Sequence, residues 1–520
     1  MAEFSTDGAT RNLTTGTFWF ERVHSTLPID ALDLGKISED PDAQTFRLFS
    51  LFRDGDNRLS EITGPAGAAW SVTAPTSFPV TLSEGDGVLV TLELDSQKVT
   101  NVEQGQILID LERDAHLEEF SYQVRRLYDP QPLAPLTERL EFVTDVQTAL
   151  DGSEVRIAAR RVPRQSMVAT YALDENYDRA RIENLMTSWQ GRVFSLPIWT
   201  EMTRLTAAVT GDPEGESRTL PVLNVVSTDY ADYRVGDQVY ITDGTNSDLL
   251  TLSEMTSTTL TLDGILVNSY GLDACVMPVR DAIITEDISG ARYTLGQQEL
   301  QITWQILDPG SDLSDTSQWS SLDGLVLFDD CNVLTGTTLT ERYSIRRTLF
   351  DPVQGAQTQR QVSPFNVRRS RKGFRAVGKQ GVWKVRQLLH ALRGRQKAVW
   401  LPTFCEDLTV TTDIEQDERT MTVTDVDFSK YVDGHPGRSV IRIRHSGGTE
   451  YVTVIGGSSN GDGTETLTLA DTWSTDITAA NITRVDLVEK VRLASDVVNI
   501  QHQPGGRHVI IQVDVETVLN

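Results

Sequence analysis

Short runs of alternating apolar and polar residues occupy the first quarter of the chain. Four of them predict strands, at Phe46–Phe52, Trp70–Val72, Val88–Leu94 and Ile107–Leu111. Glycines between these runs predict turns, because glycine adopts positive φ at little steric cost. Short strands with regularly spaced turns indicate an all-β domain over residues 23–127. We assign residues 1–22, which are polar apart from one apolar knot, to an N-terminal arm.

The segment from Phe78 to Asp86 precedes one of the stronger predicted strands. It is similar to the immunoglobulin-like (Ig-like) modules that bacterial and viral proteins use as spacers and anchors. Together with the regular turn spacing, this resemblance implies an Ig-like β-sandwich over residues 23–127.

Further along the chain, two segments change to the apolar spacing of an amphipathic helix. The predicted helices end at Gly191 and Gly394, and each has one apolar face. The apolar positions are Ala180, Ile182, Leu185, Met186 and Trp189 in the first, and Val382, Val385, Leu388, Leu389 and Leu392 in the second. Both helices are expected to pack on a sheet.

Each predicted helix is followed by Gly-Arg, a short gap and Leu-Pro-x-aromatic-x-Glu. The signature residues are Gly191, Arg192, Leu196, Pro197 and Trp199 in the first copy, and Gly394, Arg395, Leu401, Pro402 and Phe404 in the second. We interpret this as a diverged internal duplication. The signature is expected to be structural, marking a helix end, a strand and a sheet edge. Repeated units within one chain usually build rings, stacks or extended arrays.

The duplication divides the rest of the chain into two units joined by a linker. Repeat 1 covers residues 128–309, the linker 310–336, and repeat 2 337–520. Inside each repeat, glycine-bounded alternating strands predict a small inserted antiparallel β-barrel. The barrels are placed at about 206–278 and about 407–488.

Composition excludes several classes of protein. The formal net charge of −27 argues against general wrapping of nucleic acid. No apolar run is long enough for a membrane span, and the N-terminus lacks a secretory pattern. The 3 cysteines are too scattered for a disulfide framework, so we expect folding in a reducing cytosol.

One basic island stands out in this acidic chain, because residues 368–397 contain no carboxylate. We favour an oligomer or partner interface that meets acidic surface. A solvated face, or a lumen facing passing DNA, remains open as an alternative. The candidate interface residues are Arg368, Arg369, Arg371, Lys372, Arg375 and Lys379.

Catalytic motifs are missing from the sequence, so we expect no enzyme activity, no cofactor and no metal site. The histidines lack metal-binding spacing, and no nucleophile elbow or phosphate-binding glycine loop is present. Cys405 corresponds to Thr200 in the other copy, which argues against a nucleophile. Trp199 and Phe404 could be sugar platforms, but closing a core is the favoured interpretation.

The segments Arg160–Glu201 and Arg368–Glu406, with closing strands at 300–306 and 509–515, resemble the distal tail and baseplate (tail-tip) proteins of long-tailed bacteriophages. The resemblance implies a mainly β protein. In the expected fold, the Ig-like sandwich is followed by two tandem tail-tube-like β-sandwich units, each with one helix and an inserted barrel. Members of that family are commonly single-copy, whereas this chain is doubled.

The resemblance also implies a function. The chain would be a structural virion protein of the phage tail tip, forming a ring that connects the tail tube to the baseplate and receptor-binding apparatus. Two units per chain favour a trimer with pseudo-sixfold symmetry, with a hexamer as the alternative. Expected partners are the tail tube protein and baseplate hub or fibre proteins. Phage DNA could pass through the ring without sequence-specific binding.

The expected location is the virion tail, after folding in the host bacterial cytoplasm. The alternative function is a carbohydrate-binding adhesin or tail accessory module that contacts the host surface. The duplicated basic helix has no role in that alternative. A third hypothesis is a β-rich polysaccharide-degrading enzyme, for which nothing in the sequence names the acid or the base.

Overall fold

The computed structural model describes most of the chain from residue 115 onward and separate strands before it. The described residues are 18–22, 33–37, 43–50, 57–63, 70–73, 77–82, 87–94, 102–111, 115–149, 153–211, 219–222, 230–263, 266–308, 310–329, 332–333, 340–345, 347–363, 365–504 and 508–519. Contacts divide the chain into two compact units. The first unit is Met1–Pro132 with Tyr171–Asp308, and the second is Leu133–Thr170 with Pro309–Asn520.

The protein is mainly β, which confirms the predicted class, and most of its strand pairs are antiparallel. Helices are few among the described residues. None of the described helices has the length and apolar character needed to cross a membrane.

The N-terminal part of the first unit consists of strands in two sheets, of order β1-β3-β7-β5 and β2-β9-β8-β4-β6. All four strands predicted from alternation are present here. Part of the predicted arm, Phe18–Arg22, pairs with β3, and residues 1–17 lie outside the described residues. The strands of these two sheets are β1 (Phe18–Arg22), β2 (Asp33–Ile37), β3 (Ala43–Ser50), β4 (Asn57–Thr63), β5 (Trp70–Thr73), β6 (Val80–Leu82), β7 (Gly87–Leu94), β8 (Val102–Leu111) and β9 (Ala115–Val124). Strand β10 (Arg126–Leu127) lies outside both sheets and pairs in parallel with Phe194 and Ser195.

The next four strands are β11 (Pro132–Glu141), β12 (Thr144–Thr148), β13 (Glu154–Ala158) and β14 (Arg164–Leu173). β12 and β13 form a hairpin. The boundary between the units falls inside β14, after Thr170. Residues 133–170, placed at the start of repeat 1 by the sequence, therefore have most of their contacts in the second unit.

The rest of the first unit contains one helix and nine strands among the described residues. They are α1 (Asn176–Trp189), β15 (Phe194–Pro197), β16 (Thr203–Arg204), β17 (Thr219–Pro221), β18 (Gln238–Thr242), β19 (Ser247–Met255), β20 (Thr259–Asp263), β21 (Cys275–Ile284), β22 (Ser289–Arg292) and β23 (Gln298–Ile306). Helix α1 buries Ile182 and Trp189. Strand β21 pairs with β15 and with β23, and β23 pairs in turn with β22.

Strands β16–β21 enclose an apolar core of their own within the first unit. Their pairings run β16–β21–β18–β19–β20–β17, and a bridge between Leu205 and Val222 joins β17 back to β16. The pairings thus form a closed cycle, which is the arrangement of a small barrel.

The second unit also contains helices α2 (Gly378–Leu392) and α3 (Phe428–Tyr431). Its remaining strands are β24 (Ser321–Leu322), β25 (Leu325–Val326), β26 (Asn332–Val333), β27 (Glu341–Ser344), β28 (Arg347–Phe350), β29 (Thr358–Gln361), β30 (Val367–Val377), β31 (Ala398–Pro402), β32 (Thr420–Thr424), β33 (Val440–His445), β34 (Gly448–Ser459), β35 (Thr464–Leu469), β36 (Ile482–Leu493), β37 (Val497–His502) and β38 (His508–Thr517). Within the predicted linker 310–336, Trp319, Leu327 and Phe328 are buried.

The main sheet of the second unit runs β11–β37–β38–β30–β27, every pair antiparallel. Helix α2 packs on this sheet through Val385, Leu388, Leu389 and Leu392. Strands β32–β36 surround a further apolar core, paired in the order β32–β35–β34–β33–β36. Asn460–Gly463, an oxygen-rich sequence, forms the turn between β34 and β35.

Candidate subunit interface

Strand β11 is the part of the second unit most distant in sequence from its neighbours. It pairs antiparallel with β37, from Leu136 opposite His502 to Glu141 opposite Val497. Leu140 and the next apolar residue, Phe142, join the same core as α2. A segment that precedes the first unit's helix in sequence thus completes the sheet and core of the second unit.

An ionic cluster fixes β11 in this position. Glu138 of β11 is 1% exposed and accepts a hydrogen bond from Arg386 of α2 at 2.8 Å. It also contacts His502 Nε2 at 2.9 Å and accepts a bond from Gln165 at 2.8 Å. Burial alone would raise the pKa of Glu138, but Arg386, His502 and Gln165 lower it to about 2. The carboxylate is therefore charged and fully partnered at neutral pH.

The Gly-Arg signature of the second copy holds the chain just after β11. Asp496 accepts bonds from the backbone N–H groups of Arg395 at 3.0 Å and Thr144 at 2.9 Å. The Arg395 side chain donates to Asp496 at 3.1 Å and to the Thr144 carbonyl at 2.6 Å. Burial would raise the pKa of Asp496, but these hydrogen bonds lower it. Arg395 and Asp496 together clamp the docked segment.

Gly394 is required for this close approach. Its φ of +68° lies in the left-handed region that favours glycine. A Cβ at this position would lie 2.3 Å from Asp496 Oδ1 and 2.8 Å from Phe142 Cβ. The signature glycine therefore makes room for the docked segment in addition to ending the helix.

The β12–β13 hairpin extends the contact. Glu154 accepts two bonds from the buried Arg492 side chain, both at 2.8 Å. Such a bidentate pair fixes orientation as well as position. Arg492 also pairs with Glu516 at 3.5 Å, so the hairpin is joined to β36 and β38.

The first copy of the signature has different surroundings. Nothing lies within 4 Å of a Cβ built on Gly191. Arg192 stacks on Trp189, with its guanidinium carbon 4.6 Å from the ring centroid. Leu196 and Pro197 are buried in β15, and the partly buried Trp199 packs against the cluster of Tyr240, Met277 and Val279.

In the second copy, Leu401 and Pro402 are buried in β31. Phe404 packs against the α2 core, and its ring lies 5.0 Å from the guanidinium carbon of buried Arg442. Both aromatic residues of the signature therefore have intramolecular packing partners.

The basic island divides between the two faces of β30. Arg368 and Lys372 are buried. Arg368 pairs with Glu489 at 2.8 Å and with Glu341, and the Lys372 amine contacts the Thr403 carbonyl at 3.4 Å. These two side chains are placed to stabilise their own unit.

Alternate residues Arg369, Arg371 and Arg375 are exposed, and Lys379 at the start of α2 is half-buried. Asp514 pairs with Arg371 at 2.9 Å and with Arg369 at 3.2 Å, and the bond from Arg371 lowers the pKa of Asp514. The outer face of β30 is the part of the island available to a partner.

Sequence reasoning did not identify Glu138 or Asp496 as the residues that hold β11 and the chain after it in place. Two signals were available: a lone glutamate between Leu136 and Leu140 on an alternating strand, and an aspartate at the turn before β37. Neither signal indicates which residues the side chain contacts, because those residues lie hundreds of positions away in the chain.

Features typical of catalysis are sparse in the described part of the chain. No group of three or more His, Cys, Asp or Glu side chains that could hold a metal ion occurs there. Burial and nearby Asp407 raise the pKa of the Cys405 thiol, which disfavours the reactive thiolate. A cavity of about 30 Å³ beneath α2, lined mostly by apolar side chains, has roughly the volume of one water molecule.

No protein-family model matches the chain, and no curated protein is significantly similar to it.

Proposed function

We propose that this chain is a structural protein of a bacteriophage tail tip, which assembles with copies of itself into a ring between the tail tube and the baseplate. In this proposal the N-terminal sheets are an Ig-like sandwich. The two later units are tail-tube-like sandwiches, each with one helix and an inserted barrel, related by duplication. The protein is a virion component and performs no chemistry.

The observation that carries the proposal is the docking of residues 133–144 in the second unit. A strand from the sequence predicted as repeat 1 completes the sheet formed by repeat 2, with β11 paired to β37 and Glu138 bonded to Arg386. Repeats joined by such a strand can be linked in series without leaving bare sheet edges. A ring requires such a serial connection.

A further feature agrees with a ring-forming scaffold. The exposed arginines of β30 offer a cationic surface in a chain of net charge −27, so contacts between copies can be complementary in charge. The tail tube protein and a baseplate hub or fibre protein are the partners we assign.

Light scattering and negative-stain imaging of the purified chain test the proposal. We expect a symmetric oligomer with a central channel, with three chains as the favoured number and six as the alternative. A monodisperse monomer that also fails to join purified tails would contradict the proposal.

A further inference from the structure

We propose that strand β27 of one chain pairs with strand β22 in the first unit of a second copy of this chain. The inference rests on the proposed self-assembly, and it names the two surfaces that join the copies. It follows from comparing the surroundings of strand β11 in the second unit with the matching positions in the first unit.

The two units carry matching helix positions 203 residues apart. Leu388 and Leu389 of α2 are 2% and 4% exposed, and Leu140 and Phe142 of the docked segment belong to the same core. The matching residues of α1, Leu185 and Met186, are only half-buried. Among the described residues, no strand covers the groove beside α1 in the way that β11 covers the groove beside α2.

The acceptor edge in the first unit is β22. It follows β21 and pairs with β23, just as β37 follows β36 and pairs with β38. β37 pairs on its other side with β11. All four residues of β22 are exposed, and no described strand pairs with its other edge. Next to it, Tyr293 and Leu295 are 65% and 90% exposed.

The donor strand is β27, which corresponds to β11. Gln165 contacts Glu138 of β11. The residue at the matching position of the second repeat, 203 residues later, is Arg368, and it lies opposite Tyr343 of β27. Tyr343 of β27 therefore matches Glu138 of β11. All of β27 is exposed, with Tyr343 at 59% and the following Ile345 at 45%. Apolar side chains on an open strand edge are typical of a surface that pairs with another chain.

The free hydrogen-bonding groups of the two edges match. The N–H of Arg371 donates to Thr340, so alternation directs the backbone groups of Glu341, Tyr343 and Ile345 away from β30. The N–H of Tyr293 donates to Gln297, so those of Ile288, Gly290 and Arg292 point away from β23.

Transferring the β11–β37 register brings these outward positions together. Tyr343 takes the place of Glu138 and meets Gly290, which matches Ile500. Glu341 then lies opposite Arg292, and Ile345 opposite Ile288. Opposite charges meet at one of these positions, and two isoleucines meet at another.

Donor and acceptor are different surfaces, so the contact is head-to-tail. Each copy offers one β27 edge and one β22 edge, and both edges are exposed in the same chain. A head-to-tail contact continues from copy to copy until the rotation closes a ring.

Mixed-chain disulfide formation tests the register. Cys275, Cys331 and Cys405 are first replaced by serine. One preparation then carries Ile288→Cys and the other Ile345→Cys. Residues opposite each other in a hydrogen-bonded pair have Cα atoms about 5.5 Å apart, within disulfide range. We expect a covalent dimer to form in the mixed, oxidised protein but in neither preparation oxidised alone, and a mixture with Ser344→Cys in place of Ile345→Cys to stay uncrosslinked.

Light scattering of the same mixture separates the two proposals. An oligomer without the Ile288–Ile345 disulfide overturns the β27–β22 interface and leaves the ring intact. A monomer overturns both.

An independent variant, Tyr343→Pro, removes one outward N–H and leaves the β30 ladder in place. We expect it to weaken assembly about ten-fold or more, equal to about 1.4 kcal/mol, while Tyr343→Thr keeps assembly. If Tyr343→Pro assembled as strongly as the wild-type protein, that result would also overturn the interface.

Discussion

Helices α1 and α2 occupy matching positions in the sequence, but within the described part of the chain only α2 has a strand from a distant part of the sequence packed beside it. That strand contributes Leu140 and Phe142 to a core with Leu388 and Leu389. The matching face of α1 is half-covered, and the strand edge next to it is exposed. One groove is thus filled within the chain, and in our proposal a second copy fills the other.

The charged residue at one matching position supports this interpretation. Arg386 of α2 pairs with Glu138, whose side chain is 1% exposed. Glu183, 203 residues earlier in α1, pairs instead with Arg179 and Arg292, and its side chain is 39% exposed. A buried charge needs a permanent partner, whereas an exposed one tolerates water. The first contact is suited to folding, and the second to an interface that forms later.

Removing the buried carboxylate is expected to have the largest effect. Glu138→Gln leaves the guanidinium of Arg386 buried without its counter-charge, which we expect to destabilise the second unit by about 3–5 kcal/mol. The matched control, Glu183→Gln, should cost less than about 1 kcal/mol. Urea unfolding of both variants measures the difference. Equal effects would show that the two grooves do not differ in this way.

Acid should weaken the same contact. The folded pKa of Glu138 is about 2, below its ordinary value of 4.5, so its contribution is complete above pH 4.5 and is lost as the pH falls towards 2. A shift of that size corresponds to about 3 kcal/mol. Unfolding of wild type and Glu138→Gln across this range should converge at low pH. A constant gap between them would contradict the assignment.

The two signature glycines should differ as well. Gly394→Ala places a methyl group against Asp496 and Phe142 at positive φ, and we expect a loss of about 2 kcal/mol or more. Gly191→Ala has open space around it and should change stability by no more than about 0.5 kcal/mol. Thermal unfolding compares the two substitutions directly. A large effect at Gly191 would mean that its groove is already occupied within the chain.

The smallest effect is expected on the outer face of the basic island. Arg371→Ala removes an exposed ion pair with Asp514 and should cost less than about 1 kcal/mol. Arg368→Ala leaves buried Glu489 without one of its cationic partners and should cost several times more. Denaturant titration of the two variants tests whether β30 is divided between a structural and a surface face.

Local patterns predicted the local structure well. Alternation located the early strands, and the apolar spacing with a terminal glycine located α1 and α2. The division of the basic island also follows from alternation, because Arg368 and Lys372 share one face of a strand and Arg369 and Arg371 the other. The prediction of one continuous basic surface was made without considering that successive side chains of a strand point to opposite faces.

Long-range pairing could not be predicted in the same way. Glu138 contacts residues 248 and 364 positions further along the chain. Nothing in the local sequence distinguishes a strand that pairs within its own repeat from a strand that pairs with the other repeat. The assignment of residues 133–170 depends on that distinction.

Hydrogen exchange along the two acceptor strands tests the central claim most directly. The amides of β37 should be protected at every protein concentration, because β11 covers them within the chain. The outward amides of Gly290 and Arg292 in β22 should exchange freely in the dilute monomer and become protected when copies assemble. Fast exchange of these two amides in the fully assembled protein would contradict the account.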